Sequence, residues 1–196
     1  REYSSPRRAK QHQENIPGRS KESEMSTHAN YSIRQFTAED VDAYKRIRLE
    51  ALATEPGMFG NSYAMEVALP QEDWINRISL PGNARFGLYC NDELIGLTGI
   101  IINAAKPTEA YMTQSYIHKA HRGKGLSAML YDARIAWARD NGVATLTISH
   151  RKSNLASKAA NQHYSFIYHH TESRTWPDGV TEDNICYTLN IARHVK

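Results

Sequence analysis

The sequence predicts a mixed α/β fold: a central sheet of about six to seven strands flanked by about four helices. Three observations carry this. Apolar residues alternate with period two in several short runs, as strands require. In other runs they recur at three-and-four spacing, most clearly at Leu126, Met129, Leu130, Ala133 and Trp137. Turn-forming pairs separate the runs, at Pro56-Gly57, Asn91-Asp92 and Lys106-Pro107.

Each element follows from its residues. Tyr31-Ser32-Ile33-Arg34-Gln35-Phe36 alternates as a strand. Thr37 reads as a helix N-cap, with Glu39 and Asp40 in the first turn. Val41, Tyr44, Ile47 and Ala51 form the apolar stripe of that helix, and Pro56-Gly57 ends it. Met58-Phe59-Gly60 leads into a second helical region, whose buried face is Trp74, Ile75 and Ile78. Phe86 to Cys90 and Leu94 to Ile102 read as strands around the Asn91-Asp92 turn. Glu109 to His118 is a third strand, and a long amphipathic helix follows it. Gly142 stops that helix as a C′ residue. Thr145 to Ser149 is a strand, Asn154 to His163 a shorter helix, and Tyr164 to His170 and Ile185 to Leu189 two closing strands. Trp176-Pro177-Asp178-Gly179 is the turn before the final strand, a loop of the kind that can border a substrate. No internal repeat is visible.

Composition sets the class. The chain has 196 residues, enough for one domain with a sizeable core plus a tail. With 23% charged and 40% hydrophobic residues it falls among soluble globular proteins. No apolar run has the length of a membrane span, and no secretory signal is visible. A net charge of +3 is too small to argue for nucleic acid. Cys90 and Cys186 are far apart and match no metal spacing. They point to a reducing compartment, the cytoplasm, with both thiols buried in strands. Residues 1–24 are basic and almost free of apolar side chains, so they read as a flexible extension or a cloning remnant, with Met25 as a natural start. Residues 25–196 read as a single domain.

The most informative stretch is Arg122-Gly123-Lys124-Gly125-Leu126-Ser127, between a strand and a helix. Glycine lets the backbone turn tightly and approach a ligand. The first amides of the helix lack intrahelical partners, so loop and helix together offer a donor nest suited to a pyrophosphate. The competing reading is an ordinary glycine-containing turn. A Walker A loop needs Lys and Ser/Thr after its second Gly, and here Leu126 follows Gly125. A dinucleotide fingerprint needs three spaced glycines, and the stretch has Gly123 and Gly125.

In this context the stretch resembles the acyl-CoA loop, Q/R-x-x-G-x-G/A, of the GNAT superfamily of acyl-CoA-dependent N-acetyltransferases. Arg122 fills the first place, Gly125 the fourth and Ser127 the sixth, where Ser is a small departure that keeps its amide. The element order agrees, and the resemblance covers roughly residues 31–190. It implies acetyl transfer from acetyl-CoA directly to an amine, without an acyl-enzyme and without a metal. Binding of acetyl-CoA is then expected at Ser115, Tyr116, Ile117, Arg122, Gly123, Lys124, Gly125, Leu126, Ser127, Asn154 and Asn161. The strand before the loop pairs with the pantetheine arm, and the Ile117 amide is the expected donor to the thioester carbonyl.

The resemblance in motif layout to ribosomal-protein alanine N-acetyltransferases implies Glu109 as the base. A solvated strand-end Glu is the competing reading. Tyr111 and Gln114 are neighbours that could line an acceptor pocket, and His118 is a weaker alternative base. The family's acid is a Tyr in the last helix, in a pattern like N-x-x-A-x-x-L-Y. Asn154 matches its Asn and also suits a helix cap, whereas Ser157, Ala160 and Asn161 take the Ala, Leu and Tyr places. Asn161 cannot act as a general acid, so Tyr164 is the substitute, unless it is a core aromatic or thiolate leaves unaided. His169 and His170, adjacent on a strand, are expected to face opposite sides. Tyr63, Trp74, Tyr168 and Trp176 are core or surface aromatics by default, with an acceptor cleft as the sharper reading. The acceptor is open: a small-molecule or peptide amine, with a homodimer compatible and nucleic acid and membrane not expected. A CoA-binding sensor without strong catalysis is the alternative.

Overall fold

The computed structural model describes residues 29–192, and the basic segment 1–24 lies outside them. Seven strands form one sheet. They are β1 (Tyr31–Gln35), β2 (Asn83–Cys90), β3 (Glu93–Ile102), β4 (Glu109–Ile117), β5 (Thr145–Arg151), β6 (Ile167–Thr175) and β7 (Thr181–Asn190). The order across the sheet is β1-β2-β3-β4-β5-β7-β6, antiparallel throughout except for β4 and β5. Among the described residues five α-helices accompany it: α1 (Val41–Thr54), α2 (Tyr63–Val67), α3 (Gln71–Ser79), α4 (Ser127–Asp140) and α5 (Leu155–His163). This is the mixed sheet with helices on both faces that the sequence predicts.

Two layers of side chains hold the helices on. On one face, Tyr44, Ile47 and Ala51 of α1 and Trp74 and Ile78 of α3 meet Phe36, Leu97 and Tyr116. On the other, Tyr131 and Ala138 of α4 meet Phe86, Ile100, Met112, Leu146 and Tyr187. Trp74 is fully buried, so truncation to Ala is expected to cost about 3–5 kcal/mol. The cap before α1 is a reciprocal one, in which the Thr37 amide donates to Asp40 at 2.8 Å.

The structure divides the predicted second helical region into α2 and α3. Pro70 precedes α3 and has no amide for an i−4 bond, so it starts a new helix instead of continuing the old one. The predicted strand from Tyr164 also moves. Tyr164 closes α5, Ser165 turns the chain with φ 61°, and β6 begins at Ile167. Within β6 the register slips between Tyr168 and His170. This bulge brings His169 and His170 together, with their Nδ1 atoms 2.6 Å apart, instead of setting them on opposite sides.

Glu66 of α2 knits α1, α2 and α3 together. It is 1% exposed and accepts from Arg48 (2.7 and 3.0 Å), Arg77 (2.6 Å) and Asn61 (2.9 Å). Burial alone would raise its pKa, but these cationic donors outweigh it and hold the carboxyl at about 2. Among the described residues no helix is long and apolar enough to cross a membrane.

Candidate active site

The parallel pair β4–β5 is joined only at Glu109–Thr145, Ala110–Leu146 and Tyr111–Thr147. Beyond that point the strands separate. β4 continues to Ile117 and β5 to Arg151, where β5 is paired on its far side with β7. The edge of β4 from Met112 to Ile117 is thus left facing a cleft. Two irregularities support the split. Gln114 adopts φ 59°, and between Gly99↔Thr113 and Leu97↔Tyr116 β4 carries one more residue than β3. This is a bulge, and it changes which face the following side chains take. Met112 packs in the cluster under α4, whereas Tyr116 packs with α1 and α3. Tyr44 of α1 donates to Gln114 Oε1 at 3.1 Å and fixes the bulge.

The end of β4 is aimed by its hydrogen bonds. The His118 amide donates to the Ile95 carbonyl at 2.8 Å. Alternation then turns the Ile117 amide and carbonyl to the opposite edge, toward β5. The carbonyl is already taken, by Arg122 Nε at 2.7 Å. The amide points into the cleft with no strand beside it.

The glycine loop closes one end of this cleft. Gly123 and Gly125 have φ of 76° and 75°, a conformation that glycine adopts without strain. A Cβ at either position would meet nothing within 4 Å, so the space over the loop is open. Among the described residues, the amides of Gly123 to Ser127 donate to no other main-chain group. The first turn of α4 carries no acidic side chain. Free amides, open space and the positive end of a helix make a cradle that fits the diphosphate of a CoA. Lys124 turns away from it, its Nζ 3.2 Å from the Tyr31 hydroxyl.

One cavity of about 550 Å³ joins these parts. Ser115, Tyr116, Ile117, Arg122, Gly123, Gly125, Leu126, Ser127 and Asn154 line it. Lys124, Asn161, Glu109 and Tyr164 are not in its walls. Asn154 caps α5, its Oδ1 accepting from the Ser157 amide at 3.1 Å. Asn161 is fully buried behind the wall and accepts from the Tyr131 hydroxyl at 2.5 Å. Tyr164 stacks on Tyr131 at 4.4 Å, with its hydroxyl 2.9 Å from Asp132 and 3.1 Å from the Ala128 carbonyl. Burial, then the Asp132 carboxylate, pushes its pKa upward. Glu109 sits at the closed end of the strand pair, 3.2 Å from Lys106. His118 Nε2 lies 2.6 Å from Glu50 on α1.

The remaining walls come from β5 and from two segments distant in sequence. β5 contributes Ile148, Ser149 and His150. His150 is 5% exposed, stacked on Tyr187, with Nδ1 2.8 Å from the Arg151 carbonyl and Nε2 without a partner. The far end is built by Met58, Phe59 and Gly60 after α1, and by Arg174 and Trp176 from the β6–β7 hairpin. Arg151 binds these segments together through Asp178 and Glu182 (2.5 Å each) and the Gly57 carbonyl (3.1 Å). Trp176, though buried, lines the cleft, whereas Trp74 is fully buried in the core and does not.

The comparisons agree with this geometry. The model of the acetyltransferase (GNAT) family matches residues 46–164, more than half of the chain, and the chain belongs to that family. By this domain it is a GNAT-type acetyltransferase. Among solved structures, it is similar to yncA of Salmonella typhimurium, an acetyltransferase by assignment, solved with its cofactor acetyl-CoA. The TM-score is 0.70 at 19% identity, covering 86% of this chain and 98% of that one. An N-acetyltransferase of Staphylococcus aureus gives 0.67 at 21% identity, covering 83% and 99%. A ribosomal-protein-alanine N-acetyltransferase of Brucella melitensis gives 0.68 at 17% identity, covering 82% and 99%. No curated protein matches the chain at a significant level. Among the described residues, no group of three or more His, Cys, Asp or Glu could hold a metal ion.

Proposed function

We propose that the protein transfers acetyl from acetyl-CoA directly to a primary amine of a small molecule or protein. The observation that carries this is the free edge of β4, which leads from the glycine loop into a cleft open at its other end. The loop amides and the start of α4 would hold the diphosphate. The β4 edge around Ser115 to Ile117 would pair with the amides of the arm. The Ile117 amide would donate to the thioester oxygen, where negative charge develops as the amine attacks. The amine nitrogen bonds to the carbonyl carbon, the carbon–sulfur bond breaks, and the amine loses a proton.

Glu109 is the proposed acceptor of that proton. By register it shares the α1 side of β4 with Tyr111 and Thr113, outside the cavity wall, so the proton would have to pass to it along water. Glu109→Gln is then expected to lower kcat and leave the acetyl-CoA Kd unchanged. Thiolate departure needs no Tyr164 in this scheme, since its hydroxyl is engaged at α4 and a thiol with a pKa near 8.5 leaves readily. A cytoplasmic setting suits the two free cysteines.

The placement of Asn161 favours a second reading, a CoA-binding module with weak catalysis. Calorimetric titration with acetyl-CoA, followed by turnover against an amine panel, separates the two. Binding with turnover supports the enzyme, binding without turnover supports the module, and absence of binding removes both.

A further inference from the structure

We infer that the acceptor is a small amine that also carries a carboxylate, and that Arg174 receives this group. The inference rests on the acetyl-transfer reading and concerns the end of the same cavity away from the glycine loop.

Charge in the cavity wall is unevenly satisfied. Arg122 is paired with Glu55 at 2.7 Å. Arg174 also lines the cavity, yet among the described residues it has no carboxylate partner. The acids nearest it in register are engaged elsewhere. Glu182, opposite Arg174 on β7, binds Arg151 Nε and Ser153. Glu172, two residues back on the same face, accepts from Asn184 at 2.8 Å. Asp178 is held by Arg151.

The guanidinium is nevertheless fixed. Its Nη2 donates to the Gly60 carbonyl at 2.9 Å, and it lies over the Trp176 ring at 5.1 Å. A Cβ at Gly60 would fall 2.7 Å from that same nitrogen, so the glycine lets the side chain lie against the loop. A preorganised cation with spare donors suits a planar carboxylate. Among the described residues the only acid in the cavity wall is Glu55, and Arg122 neutralises it. A polyamine or a lysine-rich peptide would therefore bring positive charge to a wall that offers it no free anion. Size points the same way. The arm of acetyl-CoA shares the 550 Å³ with the acceptor, and Met58, Phe59 and Trp176 wall the remainder. An amine of amino-acid dimensions fits that description.

The test uses the full chain with acetyl-CoA. Protein amino acids, β-alanine and 4-aminobutyrate are each assayed against the matching carboxamide, with spermidine and a lysine peptide as cationic controls. At least one acid is expected to exceed its amide by tenfold or more in kcat/KM. Arg174→Gln keeps a donor for Gly60 and should reduce that preference to about onefold, while Arg174→Lys should restore part of it. The acetyl-CoA Kd, measured by calorimetry, should be the same in all three proteins. Turnover confined to amides, polyamines or peptides, no turnover of any acid, or a preference that survives Arg174→Gln would overturn the inference. Loss of acetyl-CoA binding by the wild-type chain would instead remove the acetyl-transfer reading itself.

Discussion

Arg122 Nε donates to the carbonyl of Ile117 at 2.7 Å, so the residue that opens the glycine loop also fixes the end of the strand that faces the cleft. The same guanidinium reaches Glu55 through Nη2 at 2.7 Å, which adds the end of α1 to the joint. Loop, strand and helix are thus registered by one planar side chain. Arg122→Ala should raise the acetyl-CoA Kd by about tenfold or more, since hydrogen bonds to a charged group contribute about 1.5–3 kcal/mol each. Arg122→Lys should recover little, because an ammonium cannot serve both acceptors in the same fork geometry. Calorimetry on the two variants checks this, and equal affinity in Arg122→Ala and wild type would contradict it.

Ser127 gives a cleaner probe of the phosphate cradle. It is exposed and begins α4, where no acidic residue stands. A carboxylate there should favour the helix by about 0.3–1 kcal/mol through its dipole while repelling a diphosphate. Ser127→Glu is therefore expected to melt at or slightly above the wild-type temperature and to bind acetyl-CoA at least tenfold more weakly. Binding that is unchanged in the presence of low salt would mean that the diphosphate lies elsewhere.

The bulge at Gln114 links fold to site. A non-glycine residue at φ 59° carries a conformational cost of about 1–2 kcal/mol, which the bond from Tyr44 partly offsets. Gln114→Val places a β-branched residue in the same conformation and should favour a regular strand. Both the melting temperature and the affinity for acetyl-CoA should fall, because a regular β4 turns Ser115 to Ile117 to the other face. Gln114→Gly should keep the affinity and lose only the Tyr44 bond. Retained binding in the Val variant would show that the bulge does not position the edge.

How far the sequence exposed all this depends on the range of the interactions. Period and turn residues act locally, so Gly142, Asn91-Asp92 and the stripe of α4 placed their elements correctly. The glycine loop was legible for the same reason: its φ values and its helix start lie within six consecutive residues. At the far end of the cavity the Trp176 loop was legible as a turn beside a substrate, but the contact that builds that end was not. Gly60 and Arg174 meet across 114 positions of sequence, and neither has a local pattern that announces the other. The Asn161 and Tyr164 assignments depended on one register in α5. The side chain of Asn161 turns inward to Tyr131, and that of Tyr164 turns to α4. A bulge, likewise, has no periodic signature, so His169 and His170 were separated by a rule that regular strands obey.

Asn161 shows what restoring the family's residue would do. It is fully buried, and its Oδ1 is the acceptor for the Tyr131 hydroxyl. Asn161→Tyr adds a ring where no space exists and should destabilise the protein by about 1–3 kcal/mol through overpacking, with no gain in kcat. Asn161→Ala leaves a buried hydroxyl without its acceptor and should cost a similar amount. Thermal unfolding and steady-state rates at saturating acetyl-CoA report the two effects separately. A rise in kcat for the Tyr variant would show that position 161 does reach the departing thiolate.

Glu66 sets the acid limit of the α1–α3 layer. Its carboxyl titrates at about 2 in the folded protein against an ordinary 4.5, because Arg48, Asn61 and Arg77 outweigh the burial that opposes ionisation. The sign follows from the protons. Between pH 4.5 and 2 the unfolded chain binds a proton at this residue that the folded chain does not, so falling pH favours unfolding. The contribution is fully present above 4.5 and lost progressively as the pH drops toward 2. Urea midpoints measured from pH 6 to pH 2.5 should decline in the wild type. Glu66→Gln should start lower, since Arg48, 3% exposed, is left without its counter-charge, and should lose this part of the decline. Glu66→Ala should be the more severe, at about 3–5 kcal/mol, because Arg48 then lacks both charge and hydrogen-bond partner. A Gln variant whose midpoint falls with pH as steeply as the wild type would place the acid sensitivity of this protein elsewhere.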